Sequence, residues 1–244
     1  MSVKMMHETN TQHDHSKPVA APPSNQQVAF YDVDGTLIKT NVVHIYAYYA
    51  ANHPSLTRRA AGLAKLFASI PAYLVTDYYS RKVFNEWFYH NYKGFSEDRL
   101  IVVGEEIFDK VIRPNIYPGV TDLIKRSKDQ GIRQVLVTGA LGVVTKPLAE
   151  YLGVDDYAAN KLEIVDGEAT GRLVGRLLAG PNKSQWIRDY ATQHGLNLEN
   201  CWAYADSFSD LPMLSMVGRP CAVNPDFKLR AAARDFNWPV LDLK

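Results

Sequence analysis

Apolar and polar positions change their period twice along this chain. Val28 to Tyr31 is a short unbroken apolar run and reads as a buried strand. From Asn41 to about Arg113 the period is helical, aromatic residues are frequent, and nothing reads as a strand. Ser96-Glu97-Asp98 makes a helix start with acids in the first turn; Leu100, Val103, Ile107 and Val111 follow at helical spacing, and Pro114 closes the segment. Upstream, Pro71 is expected to open a helix running through Tyr78, Arg81, Phe84 and Phe88 towards Gly94.

From Tyr117 helix and strand alternate. Pro118-Gly119 precedes a helix ending at Gly131, Ile132 to Val137 reads as a buried strand, and Gly142 to Leu152 is helical with Gly153 as its stop. Lys161–Asp166 and Arg172–Leu178 are expected to form a hairpin turning near Gly167. A helix from about Lys183 to His194 leads to the strand Cys201–Ala205, a short helix, the strand Cys221–Val223, another helix, and Pro239–Leu243. Strands alternating with helices predict an α/β fold, a parallel sheet with helices on both faces. The expected organisation is a tail over 1–26, a core over 27–40 and 115–244, and a small helical domain over 41–114 inserted after the first strand.

Composition narrows the function classes. The 244 residues suit one large domain or a core with a smaller companion, and 46% apolar with 22% charged is ordinary for a globular protein. A formal net charge of +1 leaves no electrostatic footprint for nucleic acid. Residues 1–26 are polar and poor in aliphatics, so a disordered tail is expected there; His7, His13 and His15 fall within it. Cys201 and Cys221 lie in apolar segments that read as neighbouring strands, which favours buried free thiols in a reducing compartment. No apolar run approaches the ~20 residues of a membrane-spanning helix, and the start MSVKMMHETN lacks the apolar stretch of a signal peptide. A cytoplasmic location is therefore expected; oligomeric state is not legible.

Three of the strands end in polar groups: Asp32, Thr138 and Asp206. In an open parallel sheet such ends converge where ligands bind. Asp32 and Asp34, two apart in an extended chain, would point to the same side and crowd two charges, unless the backbone turns at Gly35. Crowded carboxylates demand a cation or a raised pKa. Thr138 precedes Gly139-Ala140, where a hydroxyl beside backbone N–H groups suits an anionic oxygen, although Thr-Gly is also a common turn. Asn182 and Gln185 can form a capping box that puts Lys183 in a helix's first turn. A cation there opposes the helix dipole unless both face an anion; a solvated lysine is the plainer alternative. Asp206 and Asp210 stand four apart at the start of an expected helix, where like charges repel by roughly 0.2–0.5 kcal/mol. A cation between them resolves this, and oxygen-only ligands point to Mg²⁺ rather than zinc.

Asp32-Val33-Asp34-Gly35-Thr36, then Thr138, Lys183 and Asp206-Ser207-x-x-Asp210, resembles the four motifs of the haloacid dehalogenase superfamily in order, over residues 28–226. The helical insert is similar to a type-one cap. Ala205-Asp206 through Leu211-Pro-Met-Leu214, followed by Ala222-Val-Asn-Pro-Asp226, looks like the IB subgroup that includes phosphoserine phosphatase. The resemblance implies a Rossmann-like core, with Asp32 as nucleophile and Asp34 as general acid/base. Thr138, Gly139 and Lys183 would hold the phosphoryl group. Mg²⁺ would be bound by Asp32, Asp206 and the Asp34 carbonyl, with Asp210 supporting or joining them. The implied function is Mg²⁺-dependent hydrolysis of a small organic phosphate ester through an aspartyl-phosphate. A phosphoserine phosphatase proper and a phosphotransferase using the same intermediate are the alternatives. An idle binding module would be expected to lack Asp32, Asp34 or Lys183.

Two features depart from the pattern. Position 205 is Ala where relatives usually carry Gly. No Asp or Glu occurs from Ile38 to Thr76, where phosphoserine phosphatases place a Glu for the substrate ammonium; Asp77 and Glu86 are the next acids. The same stretch carries Arg58, Arg59 and Lys65 with Tyr46, Tyr48, Tyr49, Phe67 and Tyr73, and is uncharged from Leu66 to Thr76. Aromatics with cations favour a phosphate ester with an apolar or aromatic body, or contact with an anionic membrane surface.

Overall fold

The computed structural model describes residues 26–79 and 88–243, with the backbone alone over 70–79. The expected tail with His7, His13 and His15 lies outside the described residues, as do Arg81, Phe84, Glu86 and the side chains of Tyr73, Asp77 and Tyr78.

The chain enters as β1 (Val28–Tyr31) and then makes α1 (Val42–Ala51), α2 (Leu56–Tyr79), a single turn at His90–Tyr92 and α3 (Glu97–Ile107). A wide turn at Phe108–Ile112 and a tight one at Arg113–Asn115 lead into α4 (Val120–Asp129), β2 (Arg133–Leu141), α5 (Gly142–Leu152) and β3 (Asp156–Asn160). The hairpin β4 (Leu162–Val165) and β5 (Glu168–Leu173) precedes α6 (Pro181–Gln193) and β6 (Trp202–Ala205). Next come α7 (Leu211–Leu214), β7 (Arg219–Val223), α8 (Phe227–Asp235) and β8 (Val240–Leu241).

Six strands form one parallel sheet in the order β3-β2-β1-β6-β7-β8. Successive residues of β1 point to opposite faces, as the strand period requires. Ala29 and Tyr31 pack with Val120 and Ile124 of α4 and Val144 and Leu148 of α5. Val28 and Phe30 pack with Ile187 and Tyr190 of α6, Met213 of α7 and Leu229 of α8. Both faces are thus covered, which is why β1 reads as an unbroken apolar run. Tyr31 stacks on Tyr204 of the adjacent strand at 4.7 Å, and Phe30 meets Tyr190 edge-on at 5.9 Å. Cys201 and Cys221 are free and buried, Cys201 just before β6 and Cys221 within the neighbouring β7.

The helical insert leaves and re-enters the core at one place. Ile38 bridges to Ile116, Lys39 N–H donates to Asn115 O at 2.8 Å, and Tyr117 N–H donates to Leu37 O at 3.0 Å. A second junction binds residues 94–97 to the hairpin: Gly94 N–H donates to Ala169 O, Ala169 N–H to Phe95 O, and Glu97 N–H to Gly167 O, at 2.8–2.9 Å. Inside the insert, Tyr46 and Tyr49 of α1 pack against Phe88, Tyr92 and Phe95. These aromatic rings are buried and form the core of the insert. Among the described residues no helix is long and apolar enough to cross a membrane.

Three expectations need correction. α2 does not open at Pro71; it starts at Leu56, where the Ser55 carbonyl accepts from Arg59 N–H at 2.9 Å, and runs on through the proline. Proline is favoured at a helix start because its missing N–H costs nothing there, yet here the helix has already begun fifteen residues earlier. The second hairpin arm is 168–173, not 172–178. Asp166 (φ 51°) and Gly167 (φ 77°) both adopt positive φ, the two-residue turn whose twist suits a hairpin, so the return strand starts at once. Finally, β3 joins the sheet's edge where no strand was expected, and β2 extends to Leu141.

Candidate active site

Asp32 and Asp206 are the first residues beyond β1 and β6, which are sheet neighbours. Asp32 N–H donates to Tyr204 O at 2.9 Å, so the two carboxylates emerge side by side at the sheet's carboxyl edge. This is also where the sheet order reverses: β2 lies on one side of β1 and β6 on the other.

The chain turns back immediately after Asp32. The N–H groups of Thr36, Leu37 and Ile38 converge on Val33 O at 3.2, 2.9 and 3.1 Å. Gly35 adopts φ +83°, and a Cβ there would stand 2.2 Å from Asp206 Oδ2. Glycine is required both for the backbone conformation and for the space. The turn returns Thr36 to the site, its Oγ1 3.0 Å from Asp32 Oδ2 and 3.2 Å from Asp206 Oδ1. Asn224, at φ 45°, reaches Thr36 O with Nδ2 at 3.5 Å.

Lys183 is 5% exposed and donates to Asp32 Oδ1 at 2.5 Å and to Asp210 Oδ2 at 3.0 Å. Burial alone would push its ammonium group down, but Asp210 and Asp32 outweigh burial and hold it above the ordinary lysine value. It does sit in the first turn of α6. The expected capping box is not formed, however, because Pro181 takes the first helical position and moves the cap back to Gly180. Asn182 Nδ2 donates instead to Leu177 O at 2.9 Å, and Gln185 Nε2 to Asp189 Oδ1 at 2.8 Å.

Asp206 and Asp210 share the site, although no helical face unites them. Between them lies a tight turn at Phe208–Asp210, with α7 beginning only at Leu211. Asp226 braces that turn: its carboxylate accepts from Phe208 N–H at 2.9 Å, and its own N–H donates to Asp206 O at 2.8 Å. One oxygen from each of Asp32, Asp206 and Asp210 lies within 4.8 Å of the others. At that separation each like-charged pair repels by roughly 3–4 kcal/mol for an effective dielectric near 20. One lysine cannot balance three carboxylates. An oxygen-only donor set of this kind fits a hard divalent cation such as Mg²⁺.

Asp34 is half-buried, and its carboxylate stands outside that three-acid group. Thr138 is fully buried in β2; Tyr31 pairs with Leu136, so Thr138 sits at the carboxyl end beside the turn that follows Asp32. Its Oγ1 accepts from Ala140 N–H at 3.0 Å. Gly139 O accepts from Asn160 Nδ2 at 2.7 Å and from the Tyr89 hydroxyl, which crosses from the insert. Asn160 Oδ1 in turn accepts from Leu178 N–H at 2.9 Å, tying the segments before Lys183 and after Thr138 together. Burial raises the Tyr89 hydroxyl well above its ordinary value; the Asn160 bond opposes this and the Asp34 charge adds to it. Tyr89 therefore stands near Asp34.

The residues 29–215 match the family model described as haloacid dehalogenase-like hydrolase. The chain belongs to that family. Among its relatives, phosphoserine phosphatase SerB1 of Mycobacterium tuberculosis is 36% identical over 241 residues, covering 95% of this chain and 78% of the relative. A solved protein of unknown function from Bordetella pertussis Tohama I superposes with a TM-score of 0.79 at 25% identity, covering 91% of this chain and 100% of the other. A phosphoserine phosphatase solved as a phospho-aspartyl intermediate analogue shares the fold, with a TM-score of 0.67 at 19% identity over 91% of this chain and 95% of that one.

Sequence reasoning on this haloacid dehalogenase-like hydrolase missed Thr36, Tyr89, Asn160 and Asn224 as parts of the site. Thr36 stood inside the first motif and Asn224 inside the last quoted segment, so both had a signal. Tyr89 and Asn160 had none: both reach Gly139 O through long-range hydrogen bonds.

Proposed function

We propose that the chain hydrolyses phosphate monoesters of small organic molecules through an aspartyl-phosphate on Asp32, with Mg²⁺ as cofactor. The chain is a phosphatase of the haloacid dehalogenase type. The observation that carries the finer reading is the buried Asp32 carboxylate, aligned by Lys183 and Thr36 beside two further acids.

Asp32 attacks phosphorus, forming a carboxylate O–P bond as the ester P–O bond breaks, and Asp34 gives its proton to the leaving oxygen. Asp34 then takes a proton from water, whose oxygen attacks phosphorus, breaks the bond to Asp32 and releases inorganic phosphate. Lys183 offsets negative charge on the phosphoryl oxygens, while Thr138 and the Gly139 N–H donate hydrogen bonds to them. Mg²⁺, held by Asp32, Asp206, Asp210 and the Asp34 carbonyl, would supply the positive charge that phosphoryl transfer needs. The insert over 41–114 acts as a cap on a core of 27–40 and 115–244. Buried free thiols support a cytoplasmic setting.

Phosphoserine is the substrate in the name of the relative SerB1. The acid-free stretch from Ile38 to Thr76 argues against a substrate ammonium group in this chain. A phosphate-release assay over a metabolite panel tests both points. EDTA should stop turnover and Mg²⁺ restore it, and an aryl monophosphate should show a higher kcat/KM than phosphoserine. Full activity in metal-free buffer ends the metal reading; a clear preference for phosphoserine ends the substrate reading alone.

A further inference from the structure

Two large apolar side chains of α2 face outward. Leu56 is 74% exposed and Phe67 67% exposed, although both are large apolar side chains. They stand eleven residues apart, about three helical turns, and so lie along one line of the helix. Ala60, Ala64 and Ala68 are also exposed on that side. The opposite side, with Leu66 and Ser69, is buried against the rest of the insert. Single exposed apolar residues are ordinary, but an aligned row on a helix needs an occupant.

The charges beside that row have one sign. Arg58, Arg59 and Lys65 are exposed on α2, and no acid occurs between Leu56 and Thr76. Arg58 and Lys65 also border an open cleft of about 440 Å³, floored by Tyr46 and Phe95, to which Lys93 adds a cation and Glu168 the one acid. His53 lies there too, held below its ordinary value by partial burial and by the nearby Arg99 and Arg58. An apolar stripe edged by cations is complementary to a surface that is apolar inside and anionic at its boundary.

We propose that the outer face of α2 docks on an anionic lipid bilayer, with Leu56 and Phe67 entering the acyl boundary and Arg58, Arg59 and Lys65 meeting the headgroups. The helix lies in the interface and does not span it, in keeping with the absence of any spanning helix among the described residues. Docking goes beyond the catalytic reading and does not rest on it.

Co-sedimentation of the full chain with vesicles tests this directly. Phosphatidylcholine vesicles containing phosphatidylglycerol should bind the protein, vesicles of phosphatidylcholine alone should not, and raised salt should release it. Each cation near such a surface is worth about fivefold in affinity, so R58Q, R59Q and K65Q together should weaken binding on the order of 100-fold. L56S with F67S should also abolish sedimentation, while the circular dichroism of these surface variants stays unchanged. A dye on F67C, usable because Cys201 and Cys221 are buried, should report an apolar environment only with the anionic vesicles. Three outcomes overturn the proposal: no binding to anionic vesicles, binding that survives the triple charge variant, or an unshifted dye. A dimer in light scattering that F67S dissolves would assign this face to a second copy instead.

Discussion

The carboxyl edge of the sheet and the helical insert bury very different things. At the sheet edge, three acids and a lysine from β1, α6 and the β6–α7 connection crowd into one small space. In the insert, the buried side chains are mostly apolar, with a cluster of aromatic rings meeting edge-on, and none of the described residues classed as buried there is charged. The insert is what a sequence selected for packing looks like. The sheet edge is not, because burying charges that repel one another costs stability that no fold recovers for itself. The difference separates residues kept for chemistry from residues kept for shape.

The strongest way to break the contrast is to remove the proposed nucleophile while leaving its shape. Asp32→Asn should lower turnover on the order of 10⁴-fold or more, with circular dichroism unchanged. Asp34→Asn should cost on the order of 10²–10⁴-fold, the usual worth of a general acid/base. Near wild-type turnover by the Asp32 variant would falsify the covalent mechanism.

Lys183 probes the cost of crowding itself. Lys183→Met leaves the carboxylates unbalanced and should destabilise the metal-free protein by about 3–5 kcal/mol. The folded ammonium sits above the ordinary lysine value, so its contribution is fully present below about pH 10.4. It fades only as pH climbs through the raised folded value. Chemical denaturation in EDTA from neutral pH upward should therefore show a constant gap between wild type and variant, narrowing above that point. A gap that closes near neutral pH contradicts the assignment.

In the insert the same operation should have the opposite signature. Tyr46 is 2% exposed and touches Phe88, Tyr92 and Phe95. Tyr46→Ala should cost about 3–5 kcal/mol through the cavity it leaves, seen as a lower Tm. Mg²⁺ affinity, measured by calorimetry, should stay where it was. A large loss of metal affinity in this variant means the two regions are not energetically separate.

Gly35→Ala makes the smallest change and sharpens the contrast most. Its methyl group would collide with the Asp206 carboxylate at 2.2 Å, at a φ of +83° that only glycine adopts freely. Displacing one acid should raise the Mg²⁺ needed for half-maximal activity by about 10–100-fold, as disturbed metal sites do. An unchanged Mg²⁺ requirement removes Asp206 from the proposed metal ligands.

Much of this was legible in the sequence because it is short-range. The Asp32–Thr36 spacing, the glycine turn, the helix stops and the strand run Val28–Tyr31 depend on residues a few positions apart, where backbone geometry follows directly from residue type. What only the tertiary structure decided is which distant groups meet. Lys183 reaches Asp32 across 151 positions, and Tyr89 reaches Gly139 across 50, through hydrogen bonds with no local periodicity to announce them. Pro71 lies within a helix that local preference would have started there, and the edge strand β3 forms because β2 offers it a partner. The aromatics of α1 could have lined a pocket or filled a core, since both bury rings. Only the placement of residues 88–95 against them made Tyr46 and Tyr49 core, and left Phe67 in solvent.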